Sequence, residues 1–348
     1  MEIKEVKTPG YELVKHAIDN NTGLDAIIAI HSTQLGNPVG GLRIKKFKHH
    51  NTHLDETLGL AKAMTFKCAA AGIGFGGSKC VINIEPERKS RPLLESMAEF
   101  LNEFNDKLPA NKQVYTGTNM GTDDNDIAIL SEKSPYILGT ADKSGNPSPM
   151  TALGVYRSIL ECVRYMGEKI RDKTSLVQGI GNVGYSLADM LYNDCKQLII
   201  SEEKEERVHK FTSEHPRAMV ANPTSLFNKG RYDIFVPCAT GNILDYQTIH
   251  KLHDRDCRLV AGSANNQLKN DVQAYTLKSI GILYAPDFII NAGGLLSVVS
   301  DLTSWTKQEL EKKVVGISNR VIKAIKLADT NRISTHEAAM QLALERLA

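Results

Sequence analysis

Apolar and polar positions alternate differently in the two halves of the chain. In the first half, Ala26-Ile27-Ile28-Ala29-Ile30 predicts a buried strand. Leu54, Leu58, Ala61, Met64 and Cys68 recur at helical spacing, which predicts a helix from Leu54 to about Ala71 with that face on a core. Gly72-Ile73-Gly74-Phe75-Gly76-Gly77-Ser78-Lys79 reads as a glycine-rich loop. Cys80 to Ile84 then reads as an apolar strand and Leu93 to Phe104 as a second helix. Turn formers crowd Ser144-Gly145-Asn146-Pro147-Ser148-Pro149, where a domain boundary is expected.

Beyond that point short apolar runs alternate with helical stretches. Leu176-Val177, Leu198-Ile199-Ile200, Ile234-Phe235-Val236, Leu259-Val260-Ala261 and Ile282-Leu283-Tyr284 read as buried parallel strands, and the segments between them are long enough for crossovers. That alternation predicts a doubly wound α/β sheet. A long amphipathic helix from about Lys307 to Ala328 and a last one from His336 to Leu347 close the chain, the last expected to pack back on the first domain. The fold class is therefore α/β in two domains: residues 1–143 with a C-terminal helix of about 331–348, and a Rossmann domain over 144–330.

A chain of 348 residues is long enough for two cores, and 42% apolar with 24% charged residues suits a globular protein. The net charge of +2, with no polybasic stretch interleaved with aromatics, favours neither nucleic acid nor an anionic membrane as partner. The start, Met1-Glu2-Ile3-Lys4-Glu5, lacks an apolar region of the secretory kind, and no apolar run approaches the ~18 residues of a membrane span. The six cysteines contain no Cys-x-x-Cys pair and accompany no paired histidines, so neither a zinc or other metal site nor a disulfide framework is expected. Cytoplasm is the expected compartment.

Gly179-Ile180-Gly181-Asn182-Val183-Gly184 follows an apolar strand ending at Gln178 and opens a helix through Val183, Leu187, Met190 and Leu191. In that setting the first glycine permits a tight turn, the second lets backbone approach a pyrophosphate, and the third allows close helix–strand packing. Glu202, about 20 residues on, stands where ribose hydroxyls bind; a carboxylate there repels a 2′-phosphate, so the expected cofactor is NAD rather than NADP. Glu203, Lys204 and Arg207 blur the local charge. Gly72-x-Gly74-x-x-Gly77 has the same spacing but follows a helix and precedes a strand, the reverse of what phosphate binding requires. It is not a P-loop either, since Ser78 follows Gly77.

Lys67 and Lys79 end a helix and the glycine loop, with flexible backbone between them, and suggest a cationic pocket. Two close ammonium groups disfavour each other's protonation and burial adds to this. One lysine is then a candidate general base and the other a partner for a carboxylate.

Several ordered blocks carry a family resemblance. They are Val39-Gly40-Gly41-Leu42-Arg43, Ala63-Met64-Thr65-Phe66-Lys67-Cys68-Ala69, Gly76-Gly77-Ser78-Lys79, Ser148 to Val155, Gln178 to Gly184, Pro237-Cys238-Ala239, Ala261 to Leu268, and Ala285-Pro286-Asp287 through Gly294. Over nearly its whole length the chain resembles the leucine/phenylalanine/valine branch of the glutamate dehydrogenase superfamily. The resemblance implies reversible oxidative deamination of an apolar L-amino acid to a 2-oxo acid, with NAD. It also implies a first domain that binds substrate and forms closed homo-oligomers. By family role Lys67 and Asn266 hold the substrate carboxylate, and Lys79 activates water against the iminium. Gly40 and Gly41 line the pocket, while Gly117, Leu295 and Val298 set side-chain size. Thr151, Asn182, Cys238 and Ala239 lie along the cofactor.

One position departs from the family. In Thr116-Gly117-Thr118-Asn119-Met120-Gly121-Thr122 an asparagine occupies the place of the family's catalytic aspartate. Asn119 can hydrogen-bond but carries no titratable proton and no charge. The proton shuttle is therefore missing, and Lys79 loses an anionic neighbour, which should lower its pKa further. Asp123, Asp124 and Asp126 lie on an expected helix start, where capping accounts for them. Three readings stand: an amino-acid dehydrogenase tolerating Asn119, a family member with altered chemistry on a 2-oxo acid or imine, and a non-catalytic NAD-binding regulator.

Overall fold

The structure is a computed structural model that describes residues 1–228 and 230–348. The chain divides into two compact units. One comprises 1–146 with 297–304 and 343–348, the other 147–296 with 305–342.

The first unit is built on a six-stranded sheet. Its strands are β1 (Glu2–Glu5), β2 (Leu13–Asp19), β3 (Leu24–Ser32), β4 (Pro38–Val39), β5 (Leu42–Ile44) and β6 (Gly76–Ile82). β1, β2, β3 and β6 pair antiparallel in that order, and β4 and β5 both run parallel to β6. Between β5 and β6 runs α1 (His50–Ala71); α2 (Arg91–Asp106) and α3 (Asp124–Lys133) follow. β3 reads as an uninterrupted apolar run because both its faces are covered. Ala26, Ile28 and Ile30 join the core that contains Leu93, Met97, Phe100 and Phe104 of α2, while Ile27 and Ala29 pack with Ala61 of α1.

Two expectations need correcting here. The strand expected to start at Cys80 begins at Gly76, so Lys79 sits in a fully buried strand rather than at the end of a flexible loop. Of the α1 face expected in the core, Ala61 and Cys68 are buried. The deepest stripe, however, runs through His53, Thr57, Ala61, Thr65 and Cys68, leaving Leu54, Leu58 and Met64 half-buried. The reason is close approach: a Cβ on Gly77 would stand 2.1 Å from the backbone nitrogen of Thr65, so small residues occupy the contact.

The second unit holds a six-stranded parallel sheet formed by β7 (Thr174–Gln178), β8 (Gln197–Ser201), β9 (Met219–Val220), β10 (Ile234–Pro237), β11 (Leu259–Val260) and β12 (Leu283–Tyr284). The spatial order is β12-β11-β10-β7-β8-β9. Its helices include α4 (Ser148–Tyr165), α5 (Asn182–Asp194), α6 (Glu205–Glu214), α7 (Tyr246–His253), α8 (Val272–Ser279) and α9 (Asp287–Ile290). α10 (Gly293–Val299), α11 (Lys307–Val315), α12 (Ile317–Asn331) and α13 (Thr335–Leu347) complete the chain. The long helix expected from Lys307 is two helices, interrupted at Gly316, the residue with the weakest side-chain reason to continue a helix. Among the described residues no helix is long and apolar enough to cross a membrane.

Candidate active site

Register on the first sheet decides where Lys79 points. Lys79 pairs with Ala29, which packs towards α1, whereas its neighbour Cys80 pairs with Ile28 in the α2 core. Gly77, Lys79 and Val81 therefore share the α1 face, and Nε2 of His53 on α1 lies 3.1 Å from the Val81 carbonyl. Lys79 is 3% exposed. Burial first, then the Arg43 guanidinium, bring its pKa down to about 7; Cys80 opposes this more than the Lys67 ammonium adds to it, and Glu56 opposes it least.

The segment carrying Asn119 is laid along β5. Leu42 N–H donates to Gly117 O at 2.8 Å and Ile44 N–H to Met120 O at 2.9 Å, with a bridge between Leu42 and Thr118. Thr122 closes the turn: Asn119 N–H donates to its Oγ1 at 2.9 Å and that hydroxyl donates back to Asn119 O at 2.8 Å. Gly121, at φ +84°, lies so close to β5 that a Cβ would stand 2.1 Å from Ile44 O. Gly41 ties the centre together. A Cβ there would meet Asn119 Cβ at 3.0 Å and Lys79 Nζ at 3.2 Å, so the lysine and the asparagine converge on a wall that has no side chain. Gly40 is tighter still, with a Cβ there 2.1 Å from Ser78 O, and a Cβ on Gly117 would sit 3.7 Å from Cγ1 of Val298.

Charge around Asn119 is arranged by residues to which the sequence reading gave no role. Arg43 Nε donates to Asn119 Oδ1 at 3.1 Å, and Arg43 Nη1 donates to Glu56 Oε1 at 2.7 Å. Lys45 bonds the other Glu56 oxygen. Arg43 follows directly on Gly40-Gly41-Leu42, but its partner Asn119 is 76 residues away. Asp123 and Asp126 are occupied elsewhere. They form a reciprocal capping box on α3, with bonds of 3.0 and 2.9 Å, and Lys89 bonds both carboxylates.

In the second unit β7 has β8 on one side and β10 on the other, so the strand order reverses there, where ligands of such sheets bind. A cavity of about 320 Å³ opens at those strand ends, lined by Gln178, Gly179, Gly181, Glu202, Arg207 and Cys238 among others. Gly179 has φ +86°, and a Cβ on it would press on Ala239 at 2.7 Å. A Cβ on Gly184 would strike Gly179 O at 2.0 Å, whereas one on Gly181 would meet nothing nearer than Arg207 at 3.7 Å. The turn is thus tight, the helix is packed close, and the middle glycine faces space. Gly181 caps α5 without a side-chain bond, leaving the amides of Asn182, Val183 and Gly184 to a ligand. These features fit a dinucleotide pyrophosphate.

The chain matches, over residues 12–136, the family model described as Glu/Leu/Phe/Val dehydrogenase, dimerisation domain, and over 193–348 that described as Glutamate/Leucine/Phenylalanine/Valine dehydrogenase. It is 35% identical over 343 residues to leucine dehydrogenase of Thermoactinomyces intermedius, covering 97% of this chain and 91% of that one. The chain belongs to the Glu/Leu/Phe/Val dehydrogenase family. The crystal structure of L-tryptophan dehydrogenase from Nostoc punctiforme is similar throughout, with a TM-score of 0.83, 32% identity, and coverage of 97% and 96% of the two chains. A phenylalanine dehydrogenase of Bacillus thermotolerans is 35% identical, over 98% of this chain and 89% of its own.

Within this family frame the remaining residues fall as follows. Lys67 is half-buried on α1, two residues past Thr65. Leu295 and Val298 stand three apart on α10, both half-buried. Asn266 lies in the second unit with φ +52°, its N–H donating to Asp287 Oδ2 at 2.6 Å. Thr151 is on α4, its hydroxyl donating to Pro147 O at 3.0 Å. Cys238 N–H donates to Gln178 O at 2.8 Å, which fixes Ala239 beside the glycine turn. Glu202 is less free than the sequence suggests. Oε2 accepts from Ile180 N–H at 3.0 Å, and Oε1 accepts from Glu203 and Lys204 N–H at 3.0 and 3.1 Å. Burial opposes its charged form, but the Lys204 and Ile180 amides, the Arg207 guanidinium and the Glu203 amide outweigh it and hold the carboxyl below its ordinary range.

Proposed function

We propose that the protein is an NAD-linked amino-acid dehydrogenase, catalysing the reversible oxidative deamination of an apolar L-amino acid to a 2-oxo acid. The observation that carries the reading is the buried Lys79, with its pKa near 7, converging with Asn119 on Gly41. Relatives named as leucine, phenylalanine and tryptophan dehydrogenases support the reaction class.

The dinucleotide, held at Gly179, Gly181, Asn182, Val183 and Gly184 with Thr151, Cys238 and Ala239 along it, supplies the hydride acceptor. The other roles belong to this chain's own residues. Lys67 and Asn266 hold the substrate carboxylate. By family role Gly40, Gly41, Gly117, Leu295 and Val298 set the room for an apolar side chain. Once the iminium stands at C2, neutral Lys79 takes a proton from water as the water oxygen adds to that carbon. Lys79 then gives that proton to the amine nitrogen, the C–N bond breaks to release ammonia, and the hydroxyl proton passes to Lys79 as the 2-oxo group forms. Asn119, which has no titratable proton, moves none in these steps.

Preference for NAD over NADP rests on Glu202. One of its roughly four lone-pair positions is left for a ribose hydroxyl, and its charge opposes a 2′-phosphate even with Arg207 3.6 Å away. The first domain supports a homo-oligomer, and six free thiols suit the cytoplasm. The test is NAD reduction over a panel of L-amino acids beside Asn119→Asp. Turnover that rises in the variant supports the reading, and no turnover in either protein removes it.

A further inference from the structure

Arg43 fixes which end of the Asn119 amide is available. A guanidinium only donates hydrogen bonds, so the atom 3.1 Å from Arg43 Nε is the amide oxygen on chemical grounds alone. The guanidinium is in turn held by Glu56 at 2.7 Å and is 17% exposed. Its strand is registered on β6, with Arg43 opposite Val81, while Gly117 and Met120 on either side of Asn119 are bonded to β5 and the Asn119 backbone is held by Thr122. Neither partner has slack to turn the amide over. With one lone pair of Oδ1 taken by Arg43 and the guanidinium charge opposing a cation at the other, what Asn119 chiefly offers a ligand is its two N–H donors.

The local charge points the same way. Arg43 and Lys67 are cations near this centre, joined by Lys79 below about pH 7, and Glu56, the carboxylate that reaches Lys79, is already bonded by Arg43 and Lys45. An ammonium carried to C2 by a ligand would face those cations and an N–H donor. A carbonyl or hydroxyl oxygen at the same place accepts from Asn119 and meets favourable charge.

We propose that Arg43 is a positioning residue that locks Asn119 as a donor, and that the site consequently binds 2-oxo and 2-hydroxy acids in preference to the L-amino acids of the same side chain. This rests on the placement of Asn119 beside the substrate in the proposed function, and it concerns the group at C2 rather than the side chain.

Calorimetric titration of the full-length protein tests it, with NAD present and absent. The ligands are the L-amino acid, 2-oxo acid and 2-hydroxy acid bearing the leucine, phenylalanine and tryptophan side chains, so that the side chain cancels within each set. The oxygen-bearing acids should bind at least about tenfold more tightly than the amino acid, the size of one well-made hydrogen bond near a charge. Asn119→Asp should abolish or reverse the ratio. Arg43→Lys keeps the charge but not the Nε donor, and should shrink the ratio severalfold; because a ratio is read, partial loss of folded protein does not imitate the effect. Equal or tighter binding of the amino acids, an unchanged ratio in Arg43→Lys, or binding of none of the ligands overturns the proposal. The function reading fails separately: a protein that reduces NAD with amino acids but shows no such ratio keeps that reading and loses this one. A protein with the ratio but no amino-acid turnover does the reverse.

Discussion

Lys79 can be a base at neutral pH only because its surroundings make a lysine hold its proton weakly. With a pKa of about 7, the base is unprotonated above that value, so kcat/KM for amino-acid oxidation should rise with pH and level off above about 7. A carboxylate at position 119 stabilises the ammonium. Asn119→Asp should therefore move the rising limb to higher pH while increasing the plateau by ~10²–10⁴-fold, the usual worth of a general acid–base group. A limb unmoved by that variant would disconnect the two side chains. At the cofactor, Glu202→Gln keeps the acceptor but removes the charge that opposes a 2′-phosphate. The ratio of NADP to NAD affinity should rise in fluorescence titrations, by about tenfold for an interaction near 1.4 kcal/mol. The carboxylate also braces Ile180, so NAD affinity itself should fall slightly.

At the level of elements, α1 and β6 are joined by an absence of side chain. Gly77→Ala would drive a methyl into the backbone of Thr65 and should cost about 1–3 kcal/mol in denaturant unfolding, the range for overpacking a tight contact. Gly59, on the same helix, is exposed with open space where a Cβ would stand, and Gly59→Ala should instead stabilise by roughly 0.5–1 kcal/mol. Opposite signs from one substitution type, in the β6 contact and on the exposed face of α1, would locate the constraint. The same contact explains what the sequence hid about α1. Periodicity finds the helix, but Leu54 and Leu58 advertise the wrong stripe, because depth here is decided by how near the backbone of β6 comes rather than by apolarity. The dinucleotide turn was legible for the contrary reason: its strand, glycines and helix are contiguous, so local spacing carries the geometry. The Arg43–Asn119 bond was not legible, since it depends on the register of a distant segment against β5. Gly316 was a visible punctuation mark that helical periodicity ran over.

For the molecule as a whole, a base kept at low pKa is paid for in stability. The folded chain releases the Lys79 proton near 7 and the unfolded chain near 10.5, so between these values the unfolded state binds more protons and stability rises with pH. Lys79→Met should flatten that slope in melts recorded from pH 7 to 10, and should raise stability most at the low end. In solution the protein should have a mass that is a multiple of 38.3 kDa by light scattering; a monomeric mass would remove the oligomer from the proposed function.

Lys79 on β6 and the Asn119 segment bonded to β5 belong to one continuous hydrogen-bonded layer. The separation between Lys79 and Asn119 is therefore settled when the sheet forms, and a ligand arriving later finds the two groups preorganised rather than having to gather them. Alignment of this kind is vulnerable to register rather than to distance. A slip of one residue between β5 and the 117–121 segment would turn Asn119 to the opposite face, away from Arg43 and Lys79, which the β5–β6 pairing holds in place.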